Sequence, residues 1–144
     1  MVDSVSRARS LLRVALLLVI AILILQALGY GIGFFLDPAS GLGEFATPPP
    51  EGTDALTVAL VGMTGVGMIG AAALLALAAG LVLGGRRAGG YVAITVGGVY
   101  ILAGMSAFRA GWSGDAYFYA GAGLLLLVLA GAALWAERSV SRAT

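Results

Sequence analysis

The stretch VGMTGVGMIG, residues 61–70, carries glycines at 65, 67 and 70 in the G-x-G-x-x-G spacing of a dinucleotide-binding turn. Such a turn needs a strand before it, a helix opening at it, and amides facing water. Here the three glycines lie inside residues 55–83, a run of 29 residues without a charge. No basic residue stands near, and a pyrophosphate at that depth would be desolvated without compensation. The nucleotide reading fails on context. Packing fits better: hydrocarbon gives little drive for helices to associate, and small residues let their backbones approach.

Composition points the same way. Of the 144 residues, 60% are hydrophobic and only 10% charged, and the mean hydropathy is +1.03. A soluble domain carries about 25% charged residues. Four uncharged runs stand out, at residues 14–36, 55–83, 91–108 and 116–136. At ~1.5 Å per residue they reach roughly 35, 43, 27 and 31 Å. Each can cross a hydrocarbon core of ~30 Å, the second with a tilt or with one end outside it. Leu, Ala, Val and Gly dominate without period-2 alternation, so helices are expected and not barrel strands.

The remaining segments are a cytoplasmic N-terminal segment (1–13), an outer loop (37–54), a cytoplasmic turn (84–90), a second outer loop (109–115) and a cytoplasmic tail (137–144). Arg7, Arg9, Arg13, Arg86, Arg87, Arg138 and Arg142 fall on one side. The other side has Arg109 with Asp37, Glu44, Glu51, Asp54 and Asp115. The positive-inside rule then places both termini in the cytoplasm. Phe34, Phe35, Trp112, Tyr117, Phe118 and Tyr119 would form the outer aromatic belt, and Tyr91 and Trp135 the inner one. The first run is too long for a signal-peptide core, so it is read as an uncleaved anchor despite a passable cleavage site at Ala27-Leu28-Gly29. The fold expected is all-α: an integral membrane four-helix bundle, antiparallel, one domain, in a prokaryotic plasma membrane.

Chemistry is limited by what is missing. The chain has no cysteine, histidine or lysine. Thiolate zinc sites, iron–sulfur clusters and thiol nucleophiles are excluded, as is the usual general base. No catalytic residue, metal site or cofactor is assigned, and no nucleic-acid or nucleotide partner is implied. The partner expected is the lipid bilayer, together with a homo-oligomer or a larger membrane complex. Proton-coupled export of the small four-helix type needs a carboxylate in mid-membrane, and the spans contain none.

Small residues mark the candidate packing faces: Gly29 with Gly33 on span one, and Gly65, then Gly80 with Gly84, on span two. They serve first a compact bundle of four helices, and second a homo-oligomer or a docking face for a larger subunit. Gln26 and Tyr30 share a face with Gly29 and Gly33, suited to an interhelical hydrogen bond or to a ligand contact. Thr57, Thr64, Thr95 and Ser106 are expected to bond their own helix backbone. Arg109 is the lone cation of the outer side. It is read as snorkelling to the headgroups beside Asp115, or as an anion site through its bidentate fork. Arg109, Asp115, Ser106, Gln26 and Tyr30 are thus the candidate ligand or partner contacts.

Residues 105–135, MSAFRAGWSGDAYFYAGAGLLLLVLAGAALW, resemble the third and fourth helices of small four-helix membrane proteins of the DoxX-like superfamily. There too an arginine ends the third helix, before a short Gly/Asp loop. GFFLDPASGL, residues 33–42, is similar to the proline turn after the first helix of that group. The resemblance implies the fold, and family positions for Arg109, Gly114 and Asp115. It raises a quinone-linked oxidoreductase subunit as one alternative function. The family pattern also has a basic residue within its first helix, and span one here is uncharged. The leading expectation is a non-enzymatic accessory subunit, with small-molecule or anion binding or transport as the other alternative.

Overall fold

The computed structural model describes residues 2–39, 55–109 and 113–141. Four long helices account for nearly all of them: α1 (Val2–Leu36), α2 (Ala55–Leu83), α3 (Ala88–Arg109) and α4 (Ser113–Ser141). All four are long and apolar enough to cross a membrane. The helix of the opening stretch matches its uncharged run residue for residue, and no strand precedes Gly65 among the described residues. The other helices outrun their apolar segments. α1 continues back through Arg13, Arg9 and Arg7, and α4 continues past Arg138. Arginine, alanine and leucine are good helix formers, and extending a formed helix is easy where nucleating one is not. The segment expected at 84–90 shrinks to a four-residue turn. Residues 40–54 and 110–112 lie outside the described residues, and with them the polyproline run, Leu42, Phe45 and Trp112.

The chain divides into two compact units, Leu23–Ala73 and a second made of Met1–Ile22 with Leu74–Thr144. In the smaller unit, the end of α1 lies antiparallel to the start of α2. The closest approach is at Gly31 and Gly65. A Cβ on Gly65 would stand 2.7 Å from the Gly31 carbonyl oxygen and 2.8 Å from the Phe35 nitrogen. Leu23, Ala27, Phe34, Met68 and Ala72 are buried. Gly29 and Gly33 lie on the opposite side of α1, where within this unit a Cβ would meet nothing.

In the larger unit α3 and α4 pack along their whole length. Gly90 meets Leu134, Gly97 meets Gly123, and Gly104 meets Ala116 and Ala120. Rising numbers on one helix against falling numbers on the other make the pair antiparallel. A Cβ on Gly123 would stand 2.5 Å from the Gly97 carbonyl oxygen, so the backbones touch there. At such distances Cα–H groups point at carbonyls across the seam. Tyr100 adds an edge-on contact to Tyr119 at 5.8 Å, worth about 0.5–1.5 kcal/mol beyond its area. Gly80, Gly98, Gly121 and Gly131 have nothing against them within this unit.

Among the described residues every buried side chain is apolar or tyrosine, while Leu18, Ile22, Leu25, Leu77, Leu102 and Leu124 stand exposed. Water would not tolerate that much open apolar surface on a monomer. Lipid would.

Candidate functional site

Two places collect polar side chains, at opposite ends of α3. At the end that carries Arg109, the sequence brings candidates near one another, but the structure gives each a local task. Ser106 donates its hydroxyl to the Leu102 carbonyl at 3.0 Å, one turn back. Thr64 does the same to Leu60 and Thr95 to Tyr91. A hydroxyl inside an apolar helix has no water, so the preceding turn satisfies it. Arg109 closes the last turn of α3, and Asp115 stands in the first turn of α4. The first is the favourable place for a cation and the second for an anion. No ion pair joins them among the described residues. Each stands at its own helix end, without the expected Arg109–Asp115 contact among the described residues.

Gln26 and Tyr30 belong to the smaller unit. Tyr30 is about half exposed, and its ring lies 5.9 Å from that of Phe34. The Oε1 atom of Gln26 is buried and accepts no hydrogen bond from the described residues. Gln26 and Tyr30 therefore fall in one unit, and Ser106, Arg109 and Asp115 in the other.

The second place, in the sequence, marks only sidedness. It lies at the arginine-bearing ends in the larger unit. α2 stops at Leu83 in a left-handed turn: Gly85 has φ +71°, its N–H bonds the Val82 carbonyl at 3.0 Å, and the Arg86 N–H bonds the Leu81 carbonyl at 2.8 Å. Paired bonds of this kind over a left-handed glycine end a helix abruptly and turn the chain. α3 starts at once, and Gly89 comes against Ala78 and Val82 of α2. Arg13 on α1 reaches over and donates from a terminal nitrogen to the Val82 carbonyl at 2.9 Å. It thereby sits at the negative end of the α2 dipole.

From the other side Arg87 faces Glu137 of α4, Nε to Oε2 at 3.7 Å, and Arg138 donates to the Tyr91 hydroxyl at 2.9 Å. The Arg87 side chain is about half exposed, so this ion pair adds under ~1 kcal/mol.

These contacts frame a small open cleft. Arg13, Arg86, Arg87 and Glu137 line its polar part, and Leu16 and Leu134 are among the apolar residues beneath. Leu16 and Leu134 are buried, so the floor is closed. Three guanidinium groups against one carboxylate leave the cleft positive. The signal was in the sequence, as Arg9 and Arg13 one turn apart, the Arg86-Arg87 pair in a tight turn, and the Glu137-Arg138 pair. Their convergence depends on the turn at Gly85, which a count of charges does not convey. Among the described residues no group of three acidic side chains could hold a metal ion. Comparison with protein-family models, with curated proteins and with solved structures found no match.

Proposed function

We propose that this chain is a non-enzymatic, multi-pass accessory subunit of a prokaryotic plasma membrane. Its four helices form one antiparallel bundle, in keeping with the DoxX-like resemblance. Both termini face the cytoplasm, as the seven arginines on that side favour. The face of α1 that carries Gly29 and Gly33 docks a membrane helix of a larger assembly.

One observation carries the docking reading. Gly31 and Gly65 are pressed backbone to backbone, while Gly29 and Gly33, on the other side of the same helix, have nothing against them within the unit. A glycine inside a helix costs about 1 kcal/mol relative to alanine, so a pair at i and i+4 with no internal partner needs an external one. Such a pair forms a shallow groove against which another helix can lie. Tyr30, half exposed beside it, offers a hydroxyl at the edge of that groove.

The test is purification from native membrane in mild detergent, followed by native mass measurement. Wild-type protein should run well above its 14.4 kDa monomer, with a second membrane chain or a second copy bound. The double variant Gly29→Leu with Gly33→Leu should keep its helicity and lose that partner. A wild-type preparation that runs as a bare monomer would sink the proposal. A partner retained by the double variant would move the docking face elsewhere.

A further inference from the structure

The arginine-lined cleft has the two-layered chemistry of a phospholipid: guanidinium groups at the rim and buried leucines beneath. Not all of its cations are neutralised. Arg87 is paired with Glu137. Arg13 spends one of its five donors on the Val82 carbonyl. Arg86 is exposed, and among the described residues its side chain makes neither an ion pair nor a hydrogen bond.

The cleft is open, so its basic rim can hold a phosphate whose remaining atoms stay outside it. Arginine is suited to this group, because its planar fork meets two phosphate oxygens at once. Basic pockets between membrane helices, at headgroup depth, take anionic lipid heads.

We propose that this cleft binds the phosphate of an anionic phospholipid. Arg86 and Arg13 grip the oxyanion, and Arg87 is held at the rim by Glu137. The inference needs the four helices to lie in a bilayer. It does not need the docking face on α1, whose partner is read by a different measurement.

The experiment uses the full chain in mild detergent at low salt. Its two readouts are native mass spectra and thermal unfolding. Dioleoyl phosphatidylglycerol should remain bound and raise the unfolding temperature. Dioleoyl phosphatidylcholine, with the same tails and a neutral head, should do neither. Arg86→Gln should leave the unfolding temperature without lipid unchanged and weaken phosphatidylglycerol retention about fivefold, the share of one arginine at a membrane surface. Arg13→Gln should weaken retention similarly, but it also removes a helix cap, so Arg86→Gln is the deciding variant. Equal retention of the two lipids, or unaltered retention by Arg86→Gln, would overturn the proposal. Inorganic phosphate at millimolar concentration separates the two sources of the group. No shift is expected from it. A shift as large as the lipid's would reassign the cleft to free phosphate and overturn the lipid assignment.

Discussion

At the scale of single residues, glycines with the same composition and the same surroundings in sequence do different things. Gly121 and Gly123 are two apart on α4, yet a Cβ on Gly121 meets nothing within its unit. One on Gly123 meets the Gly97 oxygen and, at 2.8 and 2.9 Å, the Cγ1 and N atoms of Ile101. Two of those three atoms are backbone and cannot turn aside. Gly123→Ala should therefore destabilise by about 1–3 kcal/mol, as overpacking does. Gly121→Ala should be neutral or gain up to ~1 kcal/mol from helix propensity. Thermal unfolding in detergent, followed by circular dichroism, checks the pair, and reversed signs would refute the α3–α4 seam. This distinction was not legible in the sequence. Hydropathy is much the same all round a membrane helix, so glycine spacing reveals that thin faces exist but not which one is used. The candidate site was hidden for a related reason. Arg13 and Val82 are 69 residues apart, and the acceptor is a backbone carbonyl, which no side-chain pattern encodes. Arg109 and Asp115, close in sequence, are easy to pair on paper, and no ion pair joins them among the described residues.

At the scale of elements, hydropathy located the four long helices and misjudged three sets of ends. α2 coincides with its uncharged run because a glycine turn follows at once and the next charge comes just after it. α1 and α4 run on because hydropathy marks the part suited to lipid, while helix propensity does not stop at that boundary. The turn between α2 and α3 is the element on which the arginine-lined cleft depends. Gly85 holds a left-handed backbone that an L side chain adopts only at a cost of about 1–2 kcal/mol. Gly85→Ala should lower the unfolding temperature, with Gly85→Asn milder because asparagine tolerates that region better. If the turn governs the cleft, the alanine variant should also lose protection from hydrogen exchange around residues 82–90. Unchanged exchange there would mean that the turn bends without disturbing its neighbours.

At the scale of the whole molecule, four helices fit for a bilayer were foreseen from four uncharged runs, and the threading proposed for them can be tested directly. The chain contains no cysteine, so single cysteines can be placed without removing any. A membrane-impermeant maleimide added to intact cells should label Thr47→Cys and Gly114→Cys, and spare Ser10→Cys and Ala88→Cys. Labelling in the opposite sense would invert the protein and put the arginines outside. The Arg13–Val82 hydrogen bond has a bearing on how that threading is reached. It joins a residue made early in synthesis to the end of a helix made much later, and it can close only when both have come to rest on the same side. A nascent chain inserted with its first segment reversed leaves the guanidinium and the carbonyl on opposite leaflets. The bond is therefore open only to a chain whose α1 and α2 run through the bilayer in opposite directions.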